Sequence, residues 1–189
     1  MRHRYDTRGI VLSRAPSGEA NAHITLLTPT LGLVRARAQG VRKSGAKLSH
    51  SLTTFSESSL ILVRGKEEWR IAGAVLEENW FCAMPEGSAR DTAIRVAGLL
   101  LRLVAGEARD EELFSVTRGF FSALSEHAEA DHEAIEMLAV LRMLAALGLD
   151  AGEIPGDVSD FSPTALSAMR EDRVRHIARI NHGINASGL

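Results

Sequence analysis

The chain has 189 residues, 45% of them apolar and 5% aromatic, with a single cysteine and a formal net charge of -2. That length holds one large or two small domains with an aliphatic core, while the lone Cys82 excludes an internal disulfide or a four-cysteine zinc site, and no segment nears ~18 uninterrupted apolar residues. The charge is uneven: residues 1 to 76 hold 12 Lys+Arg against 5 Asp+Glu (+7) and residues 77 to 189 hold 10 against 19 (-9), which excludes a uniform surface and points to two modules with different partners.

In chain order, the opening MRHRYDTRG has no apolar stretch of the signal-peptide kind, so a cytoplasmic location is expected. Thr7 to Arg14 reads as a strand with Ile10 and Leu12 on one face, closed by the turn Ala15-Pro16-Ser17-Gly18-Glu19. His23 to Thr28 reads as a second strand. It ends at Thr28-Pro29 and a Leu31-Gly32 turn.

The third strand opens the most informative stretch, Leu33 to Lys47, where five of fifteen residues are basic and none is acidic. Val34, Ala36 and Ala38 alternate with Arg35, Arg37 and Gln39, the period of a strand with one buried face. Gly40 to Gly45 then reads as a mobile loop carrying Arg42 and Lys43, with Lys47 beyond it. Between Ala20 and Ser56 there is no carboxylate at all. A cationic row on a rigid sheet that leads into a cationic loop neutralises regularly spaced phosphates without needing base identity.

Leu60 to Arg64 and Trp69 to Leu76, joined by Arg64-Gly65-Lys66-Glu67, read as a closing hairpin. Three strands in quick succession, a longer connection and a hairpin fit a five-stranded Greek-key barrel of the OB type, and an SH3-like barrel would read nearly the same. After residue 88 the period becomes helical. Ser88 is expected to cap a helix over Ala89 to Ala105 striped by Ala93, Val96, Leu100, Leu103 and Val104, with Gly106 as its stop. Asp110 caps a second helix whose face holds Leu113, Phe120, Phe121 and Leu124. Asp131 to Leu147 reads as a central helix ended by Gly148. An acidic loop, Asp150 to Asp160, precedes a last helix with Ser162 at its cap, Pro163 at its first position, and Leu166, Met169, Val174, Ile177, Ile180 and Ile184 along it. The fold class expected is mixed, an OB-type barrel over residues 1 to 80 and a helical domain over 81 to 189.

Tests for chemistry mostly fail. Gly40-x4-Gly45 begins like a phosphate-binding loop, but Ala46-Lys47-Leu48 stands where Lys-Ser or Lys-Thr is needed. The seven histidines lack the i,i+4 spacing of paired metal ligands and are expected at the surface. Cys82, without a cationic neighbour, is expected to be a small buried hydrophobe. No base, nucleophile and oxyanion donor come together, so no catalytic residue, metal or cofactor is expected. Tyr5, Phe55 and Trp69 are the basic half's only aromatic rings, with Trp69 favoured in the core or at its rim. Electrostatics should therefore carry the binding.

The runs Thr7-Arg8-Gly9-Ile10-Val11-Leu12, Gly18-Glu19-Ala20-Asn21, Leu26-Leu27-Thr28-Pro29-Thr30-Leu31-Gly32-Leu33 and Gly40-Val41-Arg42-Lys43 ahead of Lys47-Leu48 resemble the RecO family of bacterial recombination mediators. The end of the chain, Ile180-Asn181-His182-Gly183-Ile184, is similar to that family's last helix. The resemblance implies an OB barrel on a helical domain, no catalytic centre, and binding to single- and double-stranded DNA at the nucleoid. It implies annealing of complementary strands and, with RecR, help for RecA in replacing the single-strand-binding protein SSB. Carried over by position, DNA faces Arg35, Arg37, Arg42, Lys43 and Lys47, and Arg2, Arg4 and Arg8 add to a DNA or RecR surface. Arg170, Arg173, Arg175 and Arg179 are the candidate cations for the acidic SSB tail. The four-cysteine zinc module of many members is replaced here by the Asp150 to Asp160 loop, so zinc is not expected. Two other readings of the basic barrel stay open, an RNA-binding OB protein and a non-catalytic adaptor for an acidic protein.

Overall fold

The structure, a computed structural model, describes residues 3–43, 45–46 and 48–189. Its elements fall into two compact units, Met1–Cys82 with Gly106–Glu111, and Ala83–Ala105 with Glu112–Leu189.

The first unit is a closed ring of five strands, β1 (Arg4–Ser17), β2 (Asn21–Thr28), β3 (Gly32–Ala38), β4 (Ser56–Arg64) and β5 (Trp69–Asn79), in the order β1-β2-β3-β5-β4 with β4 pairing back to β1. All pairings are antiparallel except β3 with β5. This is the OB arrangement. Alternate residues point inward, so Ala22, Ile24 and Leu26 of β2, Val34, Ala36 and Ala38 of β3, and Leu60, Leu62, Trp69 and Ile71 of the hairpin form the core, all nearly or fully buried. A one-residue bulge between Val11 and Ser13 interrupts β1. It corrects the expected inner face, because Val11 joins the barrel core while Ile10 and Leu12 are buried outside that cluster. The connection from β3 to β4 includes a short turn of helix, His50–Leu52, whose Leu52 plugs the core. After β5 comes a single turn, α1 (Trp80–Ala83), in which Trp80 is buried. Cys82 is exposed there, contrary to expectation, because a four-residue turn can bury one side only.

The second unit contains α2 (Ser88–Leu103), α3 (Glu111–Glu126), α4 (His132–Ala146), α5 (Pro163–Glu171) and α6 (Arg173–Ala186). α4 is central: eleven of its fifteen residues are buried, and it packs on α2, α5 and α6. Ser162 caps α5 by accepting from the Ala165 amide, with Pro163 at the first position, as the sequence predicts. Ser88 does not cap α2. It lies inside the helix, and its hydroxyl meets His132 Nδ1 at 3.0 Å. His132 and His176 are buried, which corrects their expected surface placement. The expected last helix is two helices, broken at Asp172 (φ -116°, ψ 34°). Val174 consequently points into solvent, 79% exposed, and α6 buries His176 and Gly183 instead.

Two arginines fasten the acidic loop. Arg142 donates to the Pro155 carbonyl at 2.7 Å. Arg179 pairs with Asp150 through contacts of 2.6 and 3.1 Å and also donates to the Glu153 carbonyl. Hydrogen bonds from Arg179 hold the Asp150 carboxyl below its ordinary range, against an opposing effect of burial. Because the folded value lies below the unfolded one of about 3.9, the pair stabilises fully above that pH and is lost as pH falls through the depressed folded value. We expect Arg179→Ala to cost about 3 kcal/mol at neutral pH, since both side chains are largely buried. The difference from wild type in urea denaturation should shrink as pH drops below about 4. A deficit that stays constant down to strongly acidic pH would refute the pairing as its source.

Candidate nucleic-acid interface

β3 alternates as its sequence predicts: Val34, Ala36 and Ala38 are fully buried, Arg35 is exposed, and Arg37 is half-exposed. Register places Arg35 opposite Thr25 and Arg37 opposite His23 on the outer face of β2. Arg35 makes no side-chain hydrogen bond or ion pair among the described residues. Arg37 differs. Its Nη1 lies 3.4 Å from Glu68 Oε1, and the same carboxylate lies 3.5 Å from His23 Nε2. The acid-free run in the sequence thus acquires a carboxylate from the β4–β5 turn.

The described residues directly after β3 form turns anchored to β2 and its preceding turn rather than a free loop. The Gly40 amide donates to Asn21 Oδ1 at 2.9 Å, the Arg42 amide donates to the Ala20 carbonyl at 3.0 Å, and Val41 is buried in the barrel core. Gly40 and Gly45 both have positive φ, where glycine avoids the Cβ penalty. Arg42 and Lys43 are exposed. The Arg42 guanidinium donates to the Gly18 carbonyl at 2.7 Å, which orients its charge without neutralising it. Lys47 and Arg2 lie outside the described residues.

Arg4 pairs with Asp6 at 2.9 Å on the surface, and Arg8 lies 3.5 Å from the buried carboxylate of Glu57. In the helical unit each candidate cation faces a carboxylate: Arg170 with Asp131, Arg173 with Glu133, Arg175 with Asp172 and Arg179 with Asp150. Of the aromatic rings, Phe55 and Trp69 are buried. Tyr5 is partly exposed and stands edge-on to Trp69 at 5.2 Å. Trp69 is held by its indole N–H donating to Glu107 at 2.8 Å, under the Arg64 guanidinium 4.8 Å from the ring centre.

Sequence reasoning missed Arg70. Parallel pairing sets it opposite Arg37, and it is exposed without a side-chain partner among the described residues. Its signal was present in the alternation of Trp69, Arg70 and Ile71, one outward cation between two buried residues. What the arrangement can do chemically is bind anions, through guanidinium groups set at strand spacing on a rigid face. Among the described residues no group of three or more His, Cys, Asp or Glu could hold a metal ion. Among the described residues no helix is long and apolar enough to cross a membrane.

Residues 1–78 match the family model for the recombination protein O N terminus. A protein of Synechococcus sp. named DNA repair protein RecO is 34% identical over 149 residues, 74% of this chain and 50% of its own length. One of the same name from Dehalococcoides mccartyi is 28% identical over 129 residues, 68% of this chain and 51% of its own. The chain thus spans about half the length of these two relatives. A third, from Bifidobacterium animalis subsp. lactis, is 30% identical over 177 residues, 87% of this chain and 72% of its own. With that coverage added to a matching barrel, the chain belongs to the RecO family of DNA repair proteins.

Proposed function

We propose that the barrel is a DNA-binding domain for single and double strands, that the protein anneals complementary strands without catalysing a reaction, and that with RecR it assists RecA on SSB-coated DNA. The observation that supports this most is the outward cationic face of β3 and the turns after it, where Arg35 and Lys43 have no counter-ion among the described residues and Arg42 only a carbonyl. Arg35, Arg37, Arg42, Lys43 and Lys47 are the DNA contacts of this reading. If all five engage, log affinity for single strands falls against log salt with a slope of roughly -3 to -4. Arg4 and Arg8, with Arg2, extend the surface toward DNA or RecR. SSB would be met by the helical unit, where Arg175, 72% exposed and 3.4 Å from Asp172, is the cation most able to exchange its carboxylate for another.

The test is annealing of complementary DNA strands, bare and SSB-coated, across a salt series, with RNA of the same sequence as competitor. A variant carrying Arg42→Glu, Lys43→Glu and Lys47→Glu should anneal at least ~10-fold more slowly while its thermal unfolding is unchanged. Unaltered annealing would remove this segment from the interface. A strong preference for RNA would favour an RNA-binding barrel, and no nucleic-acid affinity near ~100 mM salt would favour an adaptor for an acidic protein.

A further inference from the structure

β3 and β5 meet over two register pairs only, Ala36 opposite Trp69 and Arg37 opposite Arg70. Paired residues leave a sheet on the same face. Ala36 and Trp69 point into the barrel core, so Arg37 and Arg70 both point outward, on strands about 4.8 Å apart. Two like charges at that spacing repel unless something negative lies beside them. Glu68 supplies it to Arg37, by one contact of 3.4 Å between partly exposed groups, while the Arg37 Nε is buried with no partner among the described residues. A groove of about 300 Å³ opens at this point, lined by Arg37, Gln39, Val63, Arg70, Ile71 and Ala72. Arg70 and Val63 also line a neighbouring cleft of about 610 Å³ that reaches Lys66 and His3 under the β4–β5 turn. The exposed cations therefore run along β3 from Arg35 to Arg37, then turn across the strands to Arg70 and Lys66.

We propose that this seam is a phosphate-binding groove for single-stranded DNA, built by Arg37 and Arg70, in which Glu68 holds the phosphate's place until a strand displaces it. A phosphodiester presents two charged oxygens to a guanidinium and can bridge Arg37 and Arg70. Glu68 makes one long, solvent-screened contact to one of them, the weaker class of ion pair. The strand then crosses β3 and β5 at this seam in addition to meeting the turns after β3. This rests on the reading that the barrel binds DNA, and adds to it a path and a resident competitor.

The experiment measures binding of fluorescent oligo(dT), longer than the roughly 16-nucleotide footprint of an OB fold, to the full chain over a salt series. Arg70→Ala should weaken binding about fivefold at low salt and make the salt slope shallower by about 0.7, the loss of one phosphate contact. Glu68→Gln should tighten binding about three- to fivefold, and the gain should vanish when Arg37→Ala is also present. Glu67→Gln removes the same charge from an exposed neighbour and should change affinity less than about twofold. If Arg70→Ala leaves affinity and slope unchanged, or if Glu68→Gln gives no gain or a gain that survives without Arg37, the groove is refuted. The Arg42→Glu, Lys43→Glu variant keeps the two levels apart. Its weakened binding beside unaffected Arg70→Ala and Glu68→Gln overturns the groove alone, whereas wild-type protein that does not bind oligo(dT) at low salt overturns the DNA-binding reading and the groove with it.

Discussion

Arg142→Ala should destabilise the helical unit by about 4 kcal/mol, read as a lowered urea midpoint in its helical circular dichroism. Arg142 is 96% buried on the central α4, a placement that isolated arginines avoid. Its guanidinium lies 5.0 Å from the centre of the Phe161 ring and donates to the Pro155 carbonyl, so it joins α4 to the far end of the acidic loop. Truncation removes the donor for that carbonyl, about 1–3 kcal/mol, and the cation above the ring, about 0.5–2 kcal/mol. It also leaves a void where the side chain's stem lay. Burial itself works against the native residue: it pulls the Arg142 pKa below the ordinary arginine value, with Asp160 and Asp157 opposing, and Nη1 has no partner among the described residues. Arg142→Met, which fills the stem's volume and brings no charge to desolvate, should therefore recover at least half of the loss. An alanine variant within about 1 kcal/mol of wild type would show that the loop is held without Arg142.

That contact was invisible in the sequence for a definable reason. Arg142 sits among Leu138, Leu141, Met143 and Leu144, and a period-based reading assigns a charged residue there to solvent. What periodicity does detect is the apolar surface of regular elements, and the barrel strands, the central helix and the Ser162-Pro163 cap were legible for that reason. It fails where polar groups are buried. β4 begins at Ser56, four residues before its apolar run, because Ser56 and Ser58 satisfy their hydroxyls on the Ser51 and Thr53 carbonyls and Glu57 is buried beside Arg8. It fails again where the phase changes inside a continuous stripe: Asp172 breaks the last helix, and Val174 just beyond it is exposed.

The interface divides along the same line. Arg35 and Arg37 were readable as outward residues because alternation is local. Glu68 and Arg70 lie more than thirty residues away and reach Arg37 through the one parallel pairing of the ring, which no local pattern encodes. The family resemblance likewise offered Arg170, Arg173, Arg175 and Arg179 as a cationic side. In space each stands against a carboxylate, three of them on residues 20 or more positions earlier. A run of like charge in sequence is evidence of an interface where the fold leaves it without a counter-charge among the described residues, as at Arg35, or with a single long, solvent-screened one, as at Arg37.

Gly32→Ala is expected to cost the barrel about 3 kcal/mol, whereas Gly18→Ala, at the same φ of +67°, should cost about 1. Both substitutions force an alanine into the left-handed region, a penalty of about 1–2 kcal/mol. Only Gly32 adds a collision. A Cβ there would come within 2.9 Å of the Ala108 carbonyl carbon, 2.7 Å of its amide nitrogen and closer still to its oxygen, whereas no described residue lies within 4 Å of a Cβ at Gly18. The backbone of residues 106–111 would have to lift from the barrel. Glu107 would then lose Arg64, which it accepts from at 2.7 and 2.8 Å, and the Trp69 indole N–H. The chain's two tryptophans, Trp69 and Trp80, both lie in the barrel unit, so intrinsic fluorescence reports on that unit. In Gly32→Ala the emission should shift to the red before unfolding, because Trp69 loses its partner and gains water, and the urea midpoint should fall. In Gly18→Ala the spectrum should match wild type. Equal losses in the two variants, with unshifted emission in both, would mean that the backbone at Gly32 and Ala108 separates without cost and that the strain of positive φ accounts for the whole effect.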